Sequence, residues 1–138
     1  MSADRPSPPS RPTLRFRPEQ HLRRANDFRR VRAQGRRLDS GAFTLWWLCR
    51  EVGAAASGAS SARVGVVAST ASVGSAVRRN AAKRRLRELF RRNQALVPAG
   101  TDLILVARSA LSRLRFQAAE ARFVEACRRM AALNHERP

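Results

Sequence analysis

Between Arg78 and Arg92 the chain places eight basic residues and a single acid, Glu88. Their spacing is helical. At 100° per residue, Asn80, Lys83, Arg84, Arg87 and Arg91 share one side, while Ala82, Leu86, Leu89 and Phe90 share another. A guanidinium grips phosphate through two parallel N–H donors, and an ammonium acts on it as a compact charge. Such groups repeated along a helix meet a ladder of phosphates. The chemistry in view is therefore the binding of a polyanion. Catalytic constellations are not visible beside it. No Gly-rich phosphate loop and no paired carboxylates occur, and His21 and His135 stand far apart with no acid–base partner at a recognisable spacing. Glu88 is expected to pair with Arg84, Arg85 or Arg92 on its own helix. Cys49 and Cys127 are too few for a disulfide framework or a metal cluster. Both lie among apolar residues and are expected to be buried, inert thiols in a reducing cytoplasm.

The whole chain carries the same sign of charge. Of 138 residues, 28 are Lys or Arg and 10 are Asp or Glu, a formal net charge of +18, and Lys83 is the only lysine. Like charge at this density is tolerable when a polyanion neutralises it. Nucleic acid leads, and an anionic membrane surface follows. The membrane reading is weak, because the apolar residues of the basic helix are few and are needed for a core. No apolar run approaches the ~18–20 residues that cross a bilayer, and the N-terminus has no apolar signal segment. A hydrophobic fraction of 43% is enough for one modest core.

The elements that must position the basic helix follow from pattern. Residues 1–18 hold five prolines among Arg and Ser and read as a flexible basic arm, which leaves one domain over 19–138. Asn26 can cap a short helix with Leu22 just before it, Phe28 and Val31 as its apolar positions, and Gly35 as its close. Ala42 to Cys49 is aromatic and apolar and reads as a strand. A low-complexity loop over 53–62 leads to a second, antiparallel strand over 63–69. The basic helix runs until Pro98-Ala99-Gly100. Asp102 to Ala107 is a short buried strand. A last helix spans about 116–133, with Ala119, Phe123, Ala126, Met130 and Leu133 facing inward. Helices packed on one sheet make an α+β sandwich. If the first strand is regular, Phe43 and Trp47 face the core and Trp46 the opposite side.

The segment Val73-Gly74-Ser75-Ala76-Val77-Arg78-Arg79-Asn80-Ala81-Ala82-Lys83-Arg84-Arg85-Leu86-Arg87-Glu88 has the pattern V-G-x-A-V-x-R-N-x-x-K-R-x-x-R-E. This resembles the signature of the bacterial ribonuclease P protein subunit. Asn26-Asp27-Phe28-Arg29-Arg30-Val31 followed by Gly35-Arg36-Arg37, then Phe43-Thr44-Leu45-Trp46, Arg63-Val64-Gly65-Val66 and Asp102 to Arg108, are similar to the family's other segments in order. The resemblance covers about residues 20–133. It implies a single-domain α/β sandwich with one mixed four-stranded sheet, three helices and a left-handed strand–helix–strand crossover. It also implies a job: assisting a catalytic RNA in endonucleolytic removal of the 5′ leader from precursor tRNA in the cytoplasm. On that reading the protein binds no cofactor, Mg²⁺ belongs to the RNA, and one protein joins one RNA. The alternative class is a small basic ribosomal or RNA-chaperone protein without a catalytic RNA.

Carried over by residue, the resemblance implies RNA contacts for Arg79, Asn80, Lys83, Arg84 and Arg87, and Arg91 shares their side of the wheel. Arg79 lies nearer the apolar side. Asn80 has two open roles, since near a helix N-terminus it could instead bond free backbone N–H groups. Phe28 and Trp46 match cleft-lining aromatic positions, where rings stack on single-stranded bases. Packing in the core remains open to both. Three departures stand out. Ser69-Thr70-Ala71-Ser72 replaces a link that usually carries lysines, so that Ser69 occupies the cleft position. Ala81 follows Asn80 where a basic residue is common. Arg32 stands where an aromatic is frequent, one turn after Phe28, exchanging a stacking contact for a cationic one.

Overall fold

A computed structural model of the chain describes residues 18–50 and 62–135. The arm read over 1–18 lies outside the described residues except for Pro18, which opens a 3-10 turn over Pro18–Gln20. The low-complexity loop also lies outside them, except for Ala62.

Four strands form one sheet: β1 (Arg36–Asp39), β2 (Phe43–Cys49), β3 (Arg63–Val67) and β4 (Thr101–Ala107), in the spatial order β1-β2-β4-β3. The pairs β1/β2 and β2/β4 are antiparallel, and β3/β4 is parallel. The sheet is thus mixed and four-stranded, as expected. β2 and β3 do run antiparallel, but they are not neighbours, because β4 lies between them. A parallel pair needs a crossover. Here the crossover carries a one-turn helix α2 (Thr70–Val73) and the long basic helix α3 (Ala76–Asn93). Helix α1 (Ala25–Gln34) precedes the sheet and α4 (Phe116–His135) closes the chain.

Alternation along the strands divides the apolar residues between two faces. Phe43, Leu45 and Trp47 of β2 join Leu103 and Leu105 of β4 and Val64 of β3 in the main core. Helix α3 adds Ala82, Leu86, Leu89 and Phe90, and α4 adds Ala119, Phe123, Ala126 and Met130. Each large apolar side chain so buried contributes roughly 1.5–3 kcal/mol. The opposite face carries a smaller cluster of Leu22, Val31 and Ile104 with Phe28, Trp46, Leu48, Val67 and Val106 packed against it. The two-sided role of β2, with Trp47 inward and Trp46 toward α1, is as the alternation requires.

Several local expectations change. Asn26 does not cap α1. The capping position is Arg24, whose side chain makes no cap bond, and Asn26 sits inside the first turn. The start is set by tertiary contact: Leu22 N–H donates to Val64 O at 2.9 Å, and His21 bridges to Val64. This short pairing covers the outer edge of β3, which would otherwise offer free backbone groups. Gly35 does close α1, for a steric reason. A Cβ there would sit 2.5 Å from Trp47 O. β1 follows at once and was absent from the sequence reading, since Arg36-Arg37-Leu38-Asp39 has one apolar residue and is held by pairing with β2. Cys127 is buried, and burial raises its thiol pKa to about 12. Cys49, expected to be buried, is exposed. It lies two residues beyond Trp47, whose indole N–H donates to Asn134 Oδ1 (3.2 Å) in the last turns of α4, so the helical cover ends there.

Candidate nucleic-acid interface

Helix α3 begins where Ser75 Oγ accepts from Arg78 N–H (3.3 Å). Serine is a favoured cap because its oxygen satisfies a free donor. Asn80 therefore has no capping duty: it lies a full turn inside the helix, exposed, with no side-chain hydrogen bond among the described residues.

The eight basic residues of this stretch divide into two groups. Three are engaged within the fold. Arg85 donates from Nη1 to Leu111 O (2.8 Å) and Leu114 O (2.6 Å), tying α3 to the 3-10 turn Ser109–Arg113 and the residue after it. Arg91 grips Glu88 with two bonds of 2.9 and 2.6 Å. That guanidinium holds the Glu88 carboxyl below the usual carboxylate range. Arg92 pairs with Glu120 (3.1 Å) and lies 5.3 Å from the ring centroid of Phe116. Glu88 thus takes Arg91 rather than Arg84, Arg85 or Arg92; all four lie within three or four positions of it, but Arg85 is drawn to the Leu111 and Leu114 carbonyls and Arg92 to Glu120. The side chains of Arg78, Lys83, Arg84 and Arg87 make no hydrogen bond or ion pair among the described residues. Arg79 is half-buried, and its Nε is enclosed without a hydrogen-bond partner. The side opposite the core consequently presents Asn80, Lys83, Arg84 and Arg87 as donors free to meet an external acceptor. Arg91 adds charge at the end of the row, but its donors already serve Glu88.

The sheet face toward α1 is laid out in rows by the strand register. The middle row runs Arg37, Trp46, Ile104, Gly65 across β1, β2, β4 and β3. Above it lies Thr44, Val106, Val67, and below it Leu48, Asp102, Arg63. Helix α1 sets Val31 on Ile104 and Phe28 on Gly65. Trp46 and Phe28 are both half-buried. Two strand spacings, roughly 10 Å, separate their positions, with the Val31–Ile104 contact between them. They flank a floor whose upper part, Val67 and Val106, is also half-exposed. Trp46 lies under two guanidiniums, Arg32 from α1 and Arg37 from β1, each 5.8 Å from its ring centroid. Arg32 is thus a cationic partner of Trp46, a contact within the fold. Ser69 lies just past β3, on the same alternation as Gly65 and Val67. It is exposed, and its Oγ accepts from Ser72 N–H (3.1 Å), capping α2.

Three features of this face were not read from the sequence. Arg37 belongs to the unread strand β1. Gly65 carried a usable signal, since a glycine inside a strand marks a close approach. Asp102 is buried at the start of β4 amid Arg63, Arg30 and Arg50. Nothing in a run of apolar residues announces where its first acid finds partners. Among the described residues no three His, Cys, Asp or Glu side chains gather as a metal site would need, and no helix is long and apolar enough to cross a membrane.

Similarity to known proteins runs along most of the chain. The family model described as Ribonuclease P matches residues 16–131. The ribonuclease P protein component of Syntrophobacter fumaroxidans is 37% identical over 105 residues, covering 75% of this chain and 82% of that protein. That of Thermotoga maritima is 34% identical over 100 residues, covering 72% and 79%. The solved ribonuclease P protein of Thermotoga maritima superposes with a TM-score of 0.66 at 26% identity, covering 79% of this chain and 96% of that one. The Staphylococcus aureus structure shares the fold, with a TM-score of 0.65 at 23% identity over 81% and 94% of the two chains.

Proposed function

The chain belongs to the ribonuclease P protein family, as an RNA-binding subunit of that ribonucleoprotein, and on this premise we propose that it assists a catalytic RNA in removing the 5′ leader from precursor tRNA. Family membership sets aside the reading as a ribosomal or chaperone protein. The finer assignment is one protein to one RNA, with the exposed side of α3 against the phosphates of the catalytic RNA. The face between α1 and the sheet takes the single-stranded leader.

The observation that carries this reading is the division of labour along α3. Arg85, Arg91 and Arg92 hold the fold or its acids, and Lys83, Arg84 and Arg87 are left to a partner. On the α1 face, Phe28 and Trp46 supply ring surfaces to bases of any sequence, and Arg32 and Arg37 add charge beside Trp46. Tolerance of sequence is what a subunit facing many precursors requires. Mg²⁺ held by the RNA supplies the hydrolytic chemistry in this scheme. The protein's part is electrostatic and positional: its cations replace counterions between leader and RNA, two strands that repel each other.

The test is cleavage of precursor tRNA by a bacterial ribonuclease P RNA at low Mg²⁺, with and without the full chain. Faster 5′ cleavage in its presence is expected. A rate equal to that of the RNA alone overturns the reading.

A further inference from the structure

β3 and β4 are the parallel pair of the sheet, and their carboxyl ends lie side by side, with Val67 opposite Val106. The chain leaves the two ends by different routes. α2 and α3 follow β3, while Arg108 and the 3-10 turn Ser109–Arg113 follow β4. In open sheets the crevice outside the carboxyl ends of parallel strands is where ligands bind. Here that crevice is a cavity of about 420 Å³, a size that suits one small ligand. Ala82 and Leu111, both buried, form its floor, and Val73 of α2 and Ala81 of α3 its walls. Arg78, Arg108 and Ser112 are exposed at its rim.

The lining asks for a ligand that is part apolar and part anionic. Arg85, on the α3 side, is engaged through Nη1 with the carbonyls of Leu111 and Leu114. Arg108 is engaged with Asp39 at 2.8 Å. The side chain of Arg78 makes no hydrogen bond or ion pair among the described residues, so it is the cation available at the rim. A bare phosphate would leave the apolar walls unused, and a wholly apolar ligand would leave Arg78 unused.

Position around α3 identifies the ligand. Ala81 lies about 60° around the helix from Arg84, on the side away from Lys83. Val77, one turn before Ala81 on the same side, is 79% exposed. An apolar strip therefore runs from the basic side of α3 to the mouth of the cavity. An RNA strand held by Arg84 and Arg87 can turn one base across that strip, with an adjoining phosphate at Arg78. Unstacked bases of this kind are what proteins read in single-stranded RNA. We propose that the cavity is a nucleotide pocket, taking one unstacked base of the RNA strand bound along α3. The base lies against Val73, Ala81 and Leu111, and Arg78 meets its phosphate. The pocket belongs to the main-core side of the sheet, apart from Phe28 and Trp46. It rests on the reading of α3 as the RNA-binding helix.

Two variants fill the cavity from opposite walls, Ala81→Leu from α3 and Ser112→Phe from the 3-10 turn. Both positions are exposed, so the melting temperature should stay near that of the wild type. The full chain is titrated with millimolar adenosine 5′-monophosphate, adenosine or inorganic phosphate, followed by NMR amide shifts. It is also titrated with a bacterial ribonuclease P RNA at several salt concentrations. Adenosine 5′-monophosphate should shift the amides of Val73, Ala81 and Leu111 in the wild type and in neither variant. Each variant should weaken RNA binding about five- to a hundredfold, the range for one stacked base. The log–log salt slope should not change, because no phosphate contact is removed. The pocket is overturned if adenosine 5′-monophosphate leaves those amides unmoved, or if inorganic phosphate alone moves them as far. It is equally overturned if Ser112→Phe leaves RNA affinity intact, and a changed oligomeric state in that case would assign the cavity to a second copy of the chain. The underlying reading fails separately: an unchanged salt slope for Lys83→Ala with Arg87→Ala would remove α3 from the RNA.

Discussion

The ring of Phe28 rests on the bare backbone of Gly65, where a Cβ would overlap its Cζ and lie 2.9 Å from its Cε1. A helix residue and a strand residue thus define one wall of the cleft together. The ring is half-buried because glycine lets it sink toward the sheet, and half-exposed because α1 leaves its outer side open.

Gly65→Ala should therefore displace Phe28 at a cost of about 1–3 kcal/mol, the usual penalty of overpacking. Urea denaturation measures it. Combining Gly65→Ala with Phe28→Leu should cost less than the sum of the two single changes, since the methyl gains room. Strict additivity would show that the two residues are not in contact.

The two groups of basic residues on α3 should separate experimentally. Lys83→Ala with Arg87→Ala is expected to lower the salt slope of RNA binding by about 1.4–1.8, two phosphate contacts, with the melting temperature nearly unchanged. Arg85→Gln should do the reverse. It removes the donor to Leu111 O and Leu114 O, costing about 1–3 kcal/mol of stability with the slope preserved. Exchange of these outcomes between the two variants would refute the assignment.

Trp46→Ala should weaken binding of leader-bearing precursor more than of mature tRNA, by about 1–3 kcal/mol if one base stacks there. Binding competition between the two RNAs reads the difference. Equal weakening would mean that Trp46 only packs against α1.

His21 has its pKa lowered from the ordinary 6.5 by burial first, then by the charges of Arg23 and Arg87. Protonation therefore favours the unfolded chain. Stability should be full above pH 6.5 and decline as pH falls through the folded-state pKa. RNA phosphates on Arg87 would screen one of these charges and raise the His21 pKa. An NMR titration of the imidazole with and without RNA should show that rise, and its absence would place the RNA away from Arg87.

The legible parts of this molecule were those where a period or a motif spans many residues. Leu86, Leu89 and Phe90 are core because their spacing leaves one side of α3 apolar, and Phe43 and Trp47 are core because strands alternate. The motif from Val73 to Glu88 led to the family. Local signals misled where a distant contact overrode them. Asn26 looked like a cap, but Leu22 bonded to Val64 sets where α1 begins. Cys49 looked buried, but α4 ends its cover at Trp47.

Charge, periodicity and motif by themselves determined an α+β RNA-binding protein and the helix that carries its basic side. Only the tertiary structure decided which cations are available. Arg85 and Arg91 have the same residue type as Arg84 and Arg87, and nothing in their spacing from one another reveals the carbonyls of Leu111 and Leu114 or the competition for Glu88. It also decided the company of Asp102, whose three arginines come from residues 39, 52 and 72 positions away in the chain. Hydrogen bonds and ion pairs are short-ranged, so partners distant in sequence become definite only when the strands are paired and the helices laid on them.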